Sequence, residues 1–330
     1  MYNPASPDAS SAAKSGARTP TIPEGRLIQT YSAHGYEVLS LAVAADNARF
    51  ASGGGDRSVF LWDVATAQTL RRFGSSGSGQ NGHSSRVNCV AFGGADDSLV
   101  ISGGFDTTVR VWDTKSGGAG GGKPVQVLSD ARDAVTALAV RGPEIVAGSV
   151  DGRVRSYDVR MGRVTTDVFA GSVTSLGLTR DGRSVLVATL DSKVRLMDRA
   201  NGACLKTYQD EGRRNGELRV QAVLGGKERY VVAGDELAGP TAGGGADSPA
   251  SDDGRVWAWD LMTGSVVARL AVPWGLGAGE GGGRKRLVGR DGKEKERKNV
   301  VSCIAWKEGG YGDQFCVGGS SGVVTVFGPA

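Results

Sequence analysis

The chain is short of the side chains that carry most catalysis. It holds two histidines, His34 and His83, and four cysteines, Cys89, Cys204, Cys303 and Cys316. The cysteines form no CxxC pair, and no His, Cys, Asp and Glu group has metal-ligand spacing, so neither metal nor cofactor is expected. No apolar run approaches the roughly 18 residues of a membrane-spanning helix. The first twenty residues lack the apolar segment of a secretory signal. The cysteines are therefore expected to be reduced, in the cytoplasm or nucleus, with Cys89 and Cys303 in buried strands (VNCVAF and VSCIAW). A net charge of +4 is too small to argue for nucleic acid, and direct nucleic-acid binding is not expected.

Three catalytic look-alikes fail for stated reasons. Gly318–Gly322 (GGSSG) has the form of a nucleophile elbow, but strand-like residues follow where a helix is required. Gly117–Pro124 approximates a phosphate loop, yet Pro124 stands where a Mg²⁺-binding hydroxyl belongs, and no helix follows. Gly277–Gly282 fits GxGxxG inside a polyglycine run, without strand or helix around it. No enzyme and no small-molecule substrate is predicted.

What the chain does have is a repeat. Ala51–Asp63 reads ASGGGDRSVFLWD, and ISGGFDTTVRVWD, AGSVDGRVRSYD, VATLDSKVRLMD and SDDGRVWAWD follow. Each places an Asp six residues before an aromatic or Met: Asp56/Trp62, Asp106/Trp112, Asp151/Tyr157, Asp191/Met197 and Asp253/Trp259. Ser321 and Phe327 hold the matching places in a weak sixth copy. Period-two alternation around a Gly/Asp turn predicts a β-hairpin. One such unit cannot bury both of its faces, so the units must cover one another.

These residues resemble the WD-repeat β-propeller family. The resemblance implies an all-β ring of four-stranded blades over residues 26–330, behind a disordered tail at 1–25. Flexible insertions are expected at 74–82, 117–123, 237–251 and 275–298. The family has seven blades. Here the inner three strands of the first are missing, because residues 1–25 do not resemble them. Two readings follow: six blades, closed by residues 26–31 pairing with 323–327, since an open strand edge invites aggregation, or an N-terminus that is a shortened or misread gene model. The resemblance also implies two structural tetrads, His34, Ser52, Asp56 and Trp62, and His83, Ser102, Asp106 and Trp112. In each, the His bridges Asp and Ser, and Ser meets the Trp indole. His, Ser and Asp also spell a hydrolase triad, but the set occurs in two repeats.

Within that family, YSAHGYEVL (31–39), LSDARDAV (128–135) and EIVAGSVDGRVRSYDVRMG (144–162) resemble the mitogen-activated protein kinase organizer group of scaffolds. This implies a non-enzymatic scaffold for kinase-cascade components, in cytoplasm and nucleus. The same group implies a second role, assembly of the spliceosome in pre-mRNA splicing. Family geometry places partner contacts at the residue before each turn Asp (Gly55, Phe105, Val150, Leu190 and Asp252). More come from the loops leading into the first strands (Tyr36, Glu37, Arg86, Arg132, Asp133 and Ser172). The run Arg284–Lys298 holds eight Lys/Arg and three acids. It reads either as a solvated loop or as a nuclear-localisation or RNA-contacting segment.

Overall fold

The computed structural model describes residues 2–3, 25–74, 81–116, 122–238, 253–273, 299–307 and 313–328. Apart from Tyr2–Asn3 and Gly25, the expected tail lies outside these residues, as do most of the four insertions, the run 284–298 and Asp252. The chain folds as a six-bladed all-β propeller. Its one helical turn among the described residues is the 3-10 segment Ala95–Asp97.

Five sheets have four antiparallel strands, in chain order from the innermost to the outermost. Sheet one comprises Val38–Val43, Arg49–Gly54, Val59–Asp63 and Thr69–Phe73. Sheet two comprises Val87–Gly93, Leu99–Gly104, Val109–Asp113 and Gln126–Leu128. Sheet three comprises Val135–Arg141, Glu144–Ser149, Arg153–Asp158 and Arg163–Val168. Sheet four comprises Val173–Leu178, Ser184–Thr189, Lys193–Asp198 and Cys204–Tyr208. Sheet five comprises Ala222–Gly225, Tyr230–Gly234, Gly254–Asp260 and Val266–Val272. Sheet six has three strands, Val301–Lys307, Gln314–Gly319 and Val324–Phe327.

The turn Asp explains the repeat. In sheets one to four its carboxylate accepts the N–H two residues on: Ser58 from Asp56, Thr108 from Asp106, Arg153 from Asp151 and Lys193 from Asp191, at 3.1–3.3 Å. The residue between takes positive φ: Arg57 63°, Thr107 65°, Gly152 72° and Ser192 63°. An Asx turn thus holds residues in a backbone region they rarely enter. The second Asp works one turn later. Asp63, Asp158 and Asp260 accept N–H groups of the loop that reverses the chain toward the outer strand.

Sheets stack through apolar clusters. Val59 and Leu61 of sheet one pack with Val87, Val90 and Trp112 of sheet two. Sheets four and five share Leu186, Val194, Val231, Trp257 and Trp259. The last residue of an outer strand packs on the following sheet: Phe73 lies 5.5 Å from Trp112, and Tyr208 lies 6.4 Å from Trp259. The innermost strands of sheets one to six also pack side by side in succession.

Three expectations are corrected here. Residues 26–31 do not pair with 323–327. Arg26–Leu27 pairs with Tyr2–Asn3, and Val324–Phe327 has Gln314–Gly319 as its strand partner. The cause is where the segment is anchored. Tyr31 donates its OH to the Val64 carbonyl at 2.8 Å and sets its ring edge-on to Phe50 and Trp62, which fixes it on sheet one. The structureless reading of residues 1–25 likewise fails at Tyr2–Asn3, whose backbone completes that short ladder. Cys303 is in a strand but exposed, because no sheet covers its side of sheet six; Cys89 is buried.

Candidate partner-binding face and the polar networks behind it

In every sheet one main-chain bond ties the turn to the loop leading into the first strand. Gly55 donates to Glu37, Phe105 to Arg86, Val150 to Ala134 and Leu190 to Ser172, each N–H···O at 2.9 Å. Glu236 donates to Arg214, and Ser320 to Val300, both at 3.0 Å. The residue before each turn therefore sits beside its loop on one face of the ring. In sheet five that place belongs to Glu236; Asp252 lies outside the described residues. Tyr36, at 70% exposure, and Phe105, at 48%, are the large aromatics on this face. The Arg86 guanidinium lies over the Phe105 ring at 4.6 Å. Glu37, Arg132 and Asp133 are exposed, and Gly55, Ser172 and Leu190 are half-buried. Val150 is exposed, and the Ser172 hydroxyl donates to its carbonyl, joining sheets three and four.

Behind the face lie the polar networks. In sheet one His34 meets Asp56 through Nδ1 at 2.9 Å and Ser52 through Nε2 at 2.7 Å; Trp62 Nε1 donates to Ser52 at 2.8 Å. In sheet two His83 meets Asp106 at 2.9 Å and Ser102 at 2.8 Å, and Trp112 donates to Ser102 at 2.8 Å. Each member satisfies the next, as buried polar groups require. Burial alone would raise the Asp106 carboxyl. The hydrogen bond and attraction of His83, with the Ser84 N–H and Thr108, outweigh it and hold Asp106 far below the usual range. These sets are engaged within the fold and offer no free nucleophile.

Sheets three and four have no histidine and solve the problem differently. Arg155 donates to Asp151 at 2.7 Å and to Ser149 at 2.9 Å, and Ser149 donates to Asp151. Arg195 donates to Asp191 at 2.5 Å and to Thr189 at 2.8 Å. Burial pushes Asp151 upward, but Arg155, Ser149 and the Arg132 N–H overcome it and bring it to about 2. Asp191 is lowered in the same way. Sequence reading missed Arg155 and Arg195. The available signal was an Arg four residues after the turn Asp, which also marks Asp106 and Arg110. In sheet two the histidine holds the Asp, and Arg110 donates to Thr108 at 3.3 Å.

Sheet five lacks the acceptor. Arg213 is buried, with Nε on the Gly234 carbonyl and Nη1 on Ser192, and burial pushes its guanidinium down to about 10. Ala233 pairs with Trp257 as Ser52 pairs with Phe60, so an alanine fills the place of the tetrad serine. Trp259 Nε1 and Arg213 Nη2 are left without a partner. A hydroxyl there would accept from the Trp259 indole as Ser52 accepts from Trp62. Ala233→Ser is expected to stabilise the protein by about 0.5–1.5 kcal/mol, read as a higher urea midpoint at unchanged slope. A lower midpoint would show that the site has no room for the oxygen.

Among the described residues no group of three His, Cys, Asp or Glu could hold a metal, and no helix is long and apolar enough to cross a membrane. The family model "WD domain, G-beta repeat" matches residues 25–63 and 75–113, the segments that carry both histidine tetrads. Human WD repeat domain-containing protein 83 is 40% identical over 253 residues, covering 77% of this chain and 70% of its own length.

The chain belongs to the WD-repeat family.

The rat WD repeat domain-containing protein 83 is 41% identical over 150 residues, covering 46% of this chain; there the match spans only 42% of the relative's length. The solved structure of U3-55K superposes with a TM-score of 0.66 over 90% of this chain and 79% of its own, at 21% identity, which shows the shared fold. These relatives are named for the WD repeat and not for an enzymatic activity.

Proposed function

We propose that this WD-repeat chain is a non-enzymatic scaffold that assembles components of a mitogen-activated protein kinase cascade, using the face that carries Tyr36, Arg86 and Phe105, in cytoplasm and nucleus. The observation that carries the binding role is two exposed aromatics on this face, Tyr36 and Phe105, with the Arg86 guanidinium over the Phe105 ring. Aromatic and Arg anchors dominate interface energetics. The kinase-cascade reading is supported by the segments at 31–39, 128–135 and 144–162, and by similarity to WD repeat domain-containing protein 83.

Phe105→Ala with Arg86→Glu is expected to weaken capture of kinase-cascade partners at least tenfold while the thermal midpoint stays put. Pull-down of a tagged copy from cytoplasmic and nuclear fractions, with mass spectrometry, reads it. Recovery of spliceosomal proteins in place of kinases would move the assignment to an assembly factor. Unchanged binding in the double variant would put the partner on another face.

A further inference from the structure

We propose that the central channel takes an acidic side chain of the partner, a carboxylate that enters from the candidate face and is held by Arg219. The proposal rests on the binding reading of that face and names the chemistry of what it binds.

The innermost strands surround the channel, and polar side chains tie each to the next. Ser40 Oγ accepts the Val90 N–H at 3.1 Å, joining sheets one and two. Asn88 Nδ2 donates to the Val135 carbonyl at 2.9 Å, and Thr136 Oγ1 to that of Val173 at 2.6 Å. Ser175 Oγ accepts the Ala222 N–H at 2.9 Å, and Gln221 Oε1 accepts the Ile304 N–H at 3.0 Å. Arg219 breaks this pattern. It leads into the first strand of sheet five, yet its Nη1 donates to the Asn88 carbonyl of sheet two at 2.7 Å. Sheets three and four lie between them along the ring. The bond therefore runs across the channel, and the guanidinium stands within it.

That guanidinium has donors to spare. Nε and Nη2 have no hydrogen-bond partner among the described residues, and no described carboxylate lies within ion-pair distance. Arg155 and Arg195 are the contrast, since each holds an Asp of its own sheet. Arg219 is half-buried, and a charge withdrawn from water is costly unless it is paired. The acids nearest in its own loop are engaged elsewhere. Glu217 pairs with Arg214, and Glu236 accepts the Glu217 and Leu218 N–H groups. Nε–H and Nη2–H point in parallel from one edge of the planar fork, which is the edge that both oxygens of a carboxylate accept from.

The surroundings define the rest of the occupant. Arg86 stands two residues before Asn88, and its guanidinium, over the Phe105 ring, has no described carboxylate partner either. Leu218, Phe105 and Tyr36 are exposed. A cation in the channel, a second at its mouth and apolar groups on the same face fit a short segment with Asp or Glu between apolar residues.

The probe is a phage-displayed library of random short peptides, selected on the purified full chain. Enriched peptides are expected to carry Asp or Glu between apolar residues. Arg219→Met should weaken them at least tenfold, read by fluorescence anisotropy. Arg219→Glu should lose them and gain the same peptides with Lys in place of the acid, an exchange of preference that a merely structural arginine would not produce. Enriched peptides without an acid, acidic peptides indifferent to Arg219→Met, no enrichment at all, or no gain of the Lys form by Arg219→Glu would each overturn the proposal. Cellular capture separates it from the reading beneath it. Loss of partners in Phe105→Ala with Arg86→Glu, but not in Arg219→Glu, would overturn the channel site and leave the face standing. Loss in neither would remove both.

Discussion

Arg155→Met is expected to cost about 3–5 kcal/mol at neutral pH, the range found when one partner of a buried ion pair is removed. The side chains of Arg155 and Asp151 are 5% and 8% exposed. Methionine fills the space, so the loss comes from a buried carboxylate that keeps only the more distant Arg153, at 3.8 Å, and not from a cavity. The effect has a pH signature. Asp151 titrates at about 2 in the folded protein, below the ordinary carboxylate value. Its contribution to stability is therefore complete above about pH 4 and is lost as the pH falls toward 2. In Arg155→Met the carboxyl loses the part of that depression that Arg155 supplies and keeps what Ser149 and the Arg132 N–H supply, so the variant's deficit should narrow over the same window. Urea titrations at pH 7, 4 and 3 check this. A deficit under 1 kcal/mol at pH 7, or one that widens on acidification, would show that Arg155 does not hold the turn.

Ser102→Ala removes one oxygen and strands two groups. Trp112 Nε1 and His83 Nε2 both meet that hydroxyl, and Ser102 and Trp112 are fully buried. Each buried group left without a partner costs about 1–3 kcal/mol. The expected loss is about 2–4 kcal/mol, seen as a lower urea midpoint. Adding His83→Gln in the same background should cost less than it does alone, since the two act through one network. Strict additivity would mean that the serine serves only packing. The sheet-five substitution proposed above runs the comparison in reverse, supplying a hydroxyl where alanine leaves Trp259 unpartnered.

What could be read from the sequence was the local part of the structure. The turn Asp and the aromatic six residues later are visible because an Asx turn and a two-residue strand period fix their spacing. The loop residues of the candidate face came from the family resemblance, and the structure shows one main-chain bond setting Phe105 beside Arg86. The arginine networks of sheets three and four went unseen although Asp151 and Arg155 stand four apart. A search for histidine passes over a guanidinium that reaches the same carboxylate from the third strand. In sheet five the Asp motif follows a long insertion, so the spacing that marks the other turns gave no sign of Glu236, which bonds to the Arg214 loop. The pairing of residues 26–31 is non-local. It depends on where Tyr31 is anchored, and alternation of apolar residues carries no information about that.

The bonds that hold the candidate face to the ring run from main chain to main chain. Gly55, Phe105, Val150, Leu190 and Glu236 use their N–H groups to make them, so a glycine and four unrelated side chains share one geometry. At Phe105, Val150, Leu190 and Glu236 the side chain can therefore change while the bond that holds the turn to its loop stays in place.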